Sequence, residues 1–196
     1  MNASLALGID LGGTKTAGAL ITGDGTVLAR ARAATPAARG ARAGLGTLAD
    51  GARELLAAAP GPVLGLGLGA AGTIDPASAS VVAATDTLPG WAGTRLRPGL
   101  TQALHDVAPA AWVGGSPRIE AVNDVHAHGL GEAWRGAAKG APTALLVAFG
   151  TGVGGSFLVD GAPLTGSHHV GGHVGHVPSV QAAGLPCSCG ATGHLE

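Results

Sequence analysis

Aromatic side chains make up 3% of this chain, with no tyrosine, which leaves little material for a surface on which nucleic-acid bases would stack. Charge is equally scarce. Charged residues amount to 12%, and 11 basic against 12 acidic residues give a net charge of -1. Nothing there attracts nucleic acid or an anionic membrane electrostatically. Two cysteines in 196 residues cannot build a disulfide framework. No hydrophobic run approaches a membrane-spanning length, and the opening "MNASLALGID" meets an acid at Asp10 before any signal-peptide core could form. A cytoplasmic protein is therefore expected, and there a close cysteine pair points to metal or redox chemistry rather than to a structural disulfide. The G-K-[ST] signature is also missing, which excludes a Walker A loop.

What the chain does contain is 46% hydrophobic residues and 36 glycines. That composition belongs to a globular protein, and a chain of this length buries roughly 70% of its unfolded surface. "LALGID", "KTAGALI" and "VLARARAA" read as three strands, the last two joined by the hairpin turn "TGDGT". Leu45, Leu48, Ala52, Leu55 and Leu56 recur at helical spacing. "VLGLGLGA" is a further strand. Residues 72–115 carry Pro76, Pro89 and Pro98 and read as irregular, with a short helix from Leu100 to Val107. "PRIEAVND" is a strand ending in Asp124, "VHAHGLGEAWRGAA" a helix, and "TALLVAFG" and "SFLVDGAPL" strands around a tight turn. A three-stranded meander followed by alternating helices and strands is a mixed α/β architecture.

Three glycine-rich loops compete as phosphate sites. "DLGGT" lies between two strands, where glycines let backbone N–H groups turn toward an anion; Asp10 just before it makes sense as a partner of hydrated Mg²⁺. "GLGAAG" (67–72) matches G-x-G-x-x-G, but no helix follows, so a Rossmann reading is weak. "GTGVGG" (150–155) leads into a strand and fits a second phosphate-cradling hairpin. Two such hairpins about 140 residues apart, with a strand-end Asp between them, point to two facing lobes around a nucleotide.

Taken together, "GIDLGGTKTAGALI", "LPGW", "VNDVHAHGLGEA", "AFGTGVGGSFLVDG" and "GHVGHVPS…GLPCSCGATGHLE" resemble, in this order, the motifs of the ROK family of sugar kinases and repressors. The resemblance implies an α/β actin-like ATPase (ribonuclease H-like) fold in two lobes, 1–121 and 122–196, the second incomplete. It implies ATP with Mg²⁺ and phosphoryl transfer to a hexose hydroxyl. By position, Asp10, Gly12, Gly13 and Thr14 would form the first phosphate loop, and Gly150, Thr151, Gly152 and Gly154 the second. Asp124 matches the family's catalytic base, with a plain helix N-cap as the competing reading, and Asn123 beside it matches a sugar ligand. Gly72 and Glu196 resemble further sugar ligands. His176, Cys187, Cys189 and His194 would hold a structural Zn²⁺ in the spacing H-x(10)-C-x-C-x(4)-H, with His where the family typically has its last Cys; imidazole is a good zinc ligand. The zinc would fix the loop that carries His176 to the sugar. His168 and His169 read as polar loop residues.

The family usually reads E-x-G-H where this chain reads "HVGH", which puts His173 at a sugar-contacting Glu. Some bacterial N-acetylmannosamine kinases resemble it there. An imidazole can donate as well as accept, which suits an N-acetyl carbonyl, and Thr87 in place of Asn before "LPGW" also leans away from glucose. N-acetylmannosamine, converted to its 6-phosphate, is thus placed ahead of glucose, the substrate of a glucokinase of the same family. A sugar-binding regulator and a non-catalytic fragment also fit the motifs. The first loop begins at Asp10, leaving no room for a DNA-binding domain, and the chain ends at Glu196 inside a motif, as a C-terminally truncated protein would. Apolar surfaces meant for an absent part would then be exposed. The resemblance also implies a homodimer or tetramer; the composition and charge lead to the expectation of no nucleic-acid or membrane partner.

Overall fold

The computed structural model describes residues 4–85, 88–150 and 152–196. Thr87 and Thr151 therefore lie outside the described residues. The chain divides into two compact units, Met1–Asp124 and Val125–Glu196.

The first unit is built on a five-stranded sheet. Strands β1 (Leu5–Leu11), β2 (Lys15–Thr22) and β3 (Val27–Ala34) form the meander. β4 (Val63–Ala70) pairs parallel to β1, and β7 (Ile119–Asn123) pairs parallel to β4, giving the order β3-β2-β1-β4-β7. A small hairpin, β5 (Thr73–Asp75) and β6 (Ser80–Ala83), stands apart. Alternation in β1 buries Leu5, Leu7, Ile9 and Leu11 on one face. Helix α1 (Gly40–Ala57) covers that face with Leu48, Ala49, Ala52 and Leu55, all buried. Asp10, half-buried, falls on the opposite side of the alternation.

Two boundaries differ from the sequence expectation. α1 begins at Gly40, ahead of the first leucine of the helical pattern. Its N-terminal part packs closely, since a β-carbon on Gly44 would already touch the buried Trp91 ring at 3.4 Å. The short helix is α2, Leu96–Ala103, rather than 100–107. Pro98 sits in its first turn, where a missing N–H costs nothing. The hairpin β5–β6 falls in the stretch expected to be irregular. Its turn is closed by Asp75, which accepts the Ala77 N–H at 3.0 Å and the Ser78 hydroxyl at 2.6 Å, an Asx-type turn.

The second unit carries helix α3 (Asp124–Arg135) from its second residue onward, and a sheet of β8 (Thr143–Phe149), β9 (Val153–Val159) and β10 (Ala162–Pro163), in the order β10-β9-β8. α3 packs on one sheet face through small residues: β-carbons on Gly129 and Gly154 would clash with Ser156 Oγ at 2.6 Å and Val125 Cγ2 at 2.5 Å. Leu145, Val147, Phe149 and Phe157 of this sheet are exposed. After β10 the chain is mostly turns and short 3-10 segments. Among the described residues, no helix is long and apolar enough to cross a membrane.

Candidate active site and metal centre

In the first unit, parallel register sets the site. Leu11 pairs with Ala70, and Ala70 pairs with Asn123, so the three strands end level with one another. The loops leaving them therefore emerge along one edge of the sheet. These are the turn after Leu11, Ala71–Gly72, and Asp124. The carboxyl ends of parallel strands are where open α/β sheets bind ligands. The turn after β1 is tight: Gly12 N–H donates to the Lys15 carbonyl at 3.0 Å, with Gly13 and Thr14 between them. Ala71 N–H donates to Leu11 O at 3.1 Å, tying the β4 loop to the β1 loop. Behind them the Trp91 indole N–H donates to Ala71 O at 2.9 Å, so the "LPGW" segment braces the edge.

Asn123 is buried at this edge. Its Nδ2 donates to the Gly72 carbonyl at 3.0 Å and to Asp124 Oδ1 at 2.9 Å. Gly72 is needed for backbone reasons twice over. Its φ is +98°, and a β-carbon there would lie 2.6 Å from Ala83 O. The Asp124 carboxylate, in the first turn of α3, is thereby oriented by its neighbour, at a position the helix N-terminus favours for negative charge.

In the second unit, between β8 and β9, Gly150 N–H donates to Gly152 O at 2.9 Å. The glycines here and in β9 have packing duties that no sequence motif marks. A β-carbon on Gly155 would lie 2.5 Å from Gly172 O, and one on Gly175 would lie 1.9 Å from Val153 O. The loop 170–176 is thus laid directly on the β9 backbone. The Glu196 carboxyl group lies against both segments: β-carbons on Gly152 and Gly175 would each come within 2.9 Å of it. Ser188 Oγ donates to Glu196 Oε1 at 3.1 Å, and Glu196 N–H donates to Gly175 O at 2.9 Å. A residue expected to bind sugar therefore lies against a loop expected to bind phosphate.

His173 projects from that same loop. Its Nε2 is buried and has no hydrogen-bond partner among the described residues. Burial holds this imidazole below its ordinary value of 6.5, helped by the neighbouring His126 and His176 and opposed by Glu196. The ring is therefore neutral at pH 7, with one nitrogen able to donate and the other to accept.

His176, Cys187, Cys189 and His194 converge, their ligand atoms all within 4.8 Å of one another. Cys187 Sγ is 3.6 Å from His176 Nδ1, and Cys189 Sγ is 3.4 Å from His194 Nδ1. Zinc bonds of about 2.3 Å to sulfur and 2.0–2.1 Å to nitrogen put tetrahedral ligand pairs of this kind about 3.5–3.6 Å apart. The donors are the two-sulfur, two-nitrogen set of structural zinc centres. Short backbone bonds pre-form the cradle, among them Cys187 N–H to Ala191 O at 2.9 Å and Leu195 N–H to Val177 O at 3.1 Å.

One residue at this site carries no signal in the sequence. His126 is buried on α3, and by pattern it is one more helical residue between Asp124 and the glycines.

The ROK family pattern matches residues 6–196. A glucokinase of Thermotoga maritima is 30% identical over 190 residues, covering 97% of this chain and 55% of that protein. An N-acetyl-D-glucosamine kinase of Erwinia tasmaniensis is 38% identical over 96 residues, 44% of this chain and 31% of that protein. Among solved structures, a ROK family glucokinase from Streptomyces griseus in complex with glucose and AMPPNP superposes with a TM-score of 0.82 at 27% identity, covering 97% of this chain and 55% of that one. The fold is thus the α/β actin-like ATPase fold of these kinases, in part. The chain spans about half the length of the relatives it matches end to end.

Proposed function

The chain belongs to the ROK family, and from that premise we propose that it forms the acceptor and phosphate-binding part of an ATP-dependent sugar kinase. The observation that carries the reading is Asp124 at the level edge of β1, β4 and β7, with Asn123 holding its Oδ1 at 2.9 Å. A carboxylate so oriented, within reach of an acceptor hydroxyl, takes its proton as the new O–P bond forms; such general-base help is worth roughly 10²–10⁴ in rate. Asp10, Gly12, Gly13 and Thr14, together with Gly150, Thr151, Gly152 and Gly154, are the residues that would hold the nucleotide phosphates. Asp10 would hold hydrated Mg²⁺, which neutralises charge on the phosphate oxygens when bound. Most of the remaining acceleration is positioning.

Asn123, Gly72, His173, His176 and Glu196 are the sugar-facing set. His176 Nδ1 faces Cys187 Sγ, so this nitrogen belongs to the metal side and Nε2 is the atom left to address a sugar. His176, Cys187, Cys189 and His194 would hold Zn²⁺, whose contribution is to fix the loop bearing His176.

For the acceptor, the neutral His173 imidazole favours N-acetylmannosamine, phosphorylated at its 6-hydroxyl: the ring can donate to an amide carbonyl, which a carboxylate cannot. Glucose is the second reading, supported by the likeness to the Thermotoga maritima glucokinase. The test is kcat/KM for both sugars in the native protein and in His173→Glu. The preference for N-acetylmannosamine should shift toward glucose in the variant. A native protein that already prefers glucose sinks the acetamido reading.

A further inference from the structure

His126 is 2% exposed, and its Nε2 lies 2.9 Å from the Gly171 carbonyl. A carbonyl only accepts, so Nε2 carries the hydrogen and donates it. The acceptor sits in the Gly171–Gly172 step, which has no side chain to hold it. Gly171 has no room for a side chain, since a β-carbon there would lie 2.1 Å from Leu164 O. Gly172 turns the chain at φ +82°, against the backbone of Gly155 and Phe157. The next residue is His173, whose ring centroid is 5.7 Å from that of His126, the planes tilted by 44°.

We propose that His126 is the positioning residue of the sugar-recognition loop, its Nε2–H clamping the Gly171 carbonyl so that the turn presents His173 in one orientation. The clamp runs from the first turn of α3 to the loop. Ring against ring, His126 also limits the rotamers open to His173. The turn that presents His173 is closed by short-range bonds: Gly171 N–H to Thr165 O at 2.7 Å, Val174 N–H to Gly172 O at 2.7 Å, and His173 N–H to Val170 O at 3.2 Å. These three bonds close the turn without reaching the helix; the His126 bond reaches it. Its link to sugar recognition rests on the function proposed above; the clamp itself does not.

Two variants separate the hydrogen bond from the volume. His126→Leu fills the space without a donor, and His126→Gln places an amide N–H near the position of Nε2. Amide hydrogen exchange of Gly171, His173 and Val174 is measured in both, beside isothermal titration with N-acetylmannosamine and with glucose. In His126→Leu these three amides should exchange about tenfold faster, the worth of one buried hydrogen bond, with the β1 and β4 amides unchanged. His126→Gln should restore most of the protection. Whichever sugar binds should lose about tenfold in affinity in the Leu variant and recover in the Gln variant. Unchanged exchange in His126→Leu overturns the proposal, and so does equal acceleration in both variants. If the unaltered chain binds neither sugar, the functional reading falls, while the exchange result still decides the clamp.

Discussion

Substituting Gly155 by alanine tests the packing of the loop on β9 with a single methyl group. The new β-carbon would lie 2.5 Å from the Gly172 carbonyl oxygen and 2.7 Å from Val174 Cγ2. The first of these is backbone, which no rotamer change can move aside. Overpacking of this kind costs about 1–3 kcal/mol, and a backbone clash belongs at the upper end. Replacing glycine in a strand returns about 0.5–1 kcal/mol of chain entropy, so the net loss is about 2 kcal/mol. For a domain of 60–100 residues each kcal/mol moves the melting temperature by about 4–8 °C, which gives a drop of about 8–16 °C in the second unit. Gly8→Ala is the control, because nothing lies within 4 Å of its β-carbon position; it should leave the melt unchanged or raise it slightly. The assay is thermal unfolding followed by circular dichroism. A Gly155→Ala melt indistinguishable from the parent would refute the close approach, as would an equal drop in the Gly8 control.

Metal and proton binding give further expected outcomes. Elemental analysis should find one zinc per chain, retained in His194→Cys and lost in His194→Ala. Chelation should speed exchange at the Ser179, Cys187 and Leu195 amides while leaving β1 untouched; uniform protection would speak against a structural metal. Because burial holds His173 below 6.5, the folded chain binds fewer protons there than the unfolded one. Stability from this group is therefore present above 6.5, falls as pH drops through that value, and levels off below the lowered folded one. Urea melts at pH 7, 6 and 5 should show a shallower acid loss in His173→Gln than in the parent, and identical slopes would contradict the assignment.

Much of this is legible in the sequence because periodicity and ligand chemistry are local. β1 alternates strictly and α1 repeats its leucines at helical spacing; His176, Cys187, Cys189 and His194 are legible as a set through the family resemblance, and they come within ligand distance because the turn-rich stretch that holds them folds back on itself. What stays hidden depends on contacts between segments distant in sequence. No pattern marks Gly155 as a packing glycine, since its neighbour Gly172 is reached only through the tertiary fold. The glycines of "GTGVGG" read as phosphate chemistry, yet the site of a Gly154 β-carbon is taken by Val125. His126 looks like an ordinary helical residue for the same reason: its partner is a carbonyl 45 residues away. The α2 boundary is misplaced by a local rule applied too broadly, proline being a breaker inside a helix but not in its first turn.

The most direct test of the central claim is ATP-dependent formation of sugar 6-phosphate by the protein expressed in its natural reading frame, compared with Asp124→Asn. The account predicts turnover of N-acetylmannosamine or glucose that falls by about 10²–10⁴ in the variant, with sugar affinity largely kept. Equal turnover in Asp124→Asn, or none with either sugar in the unaltered protein, would contradict it.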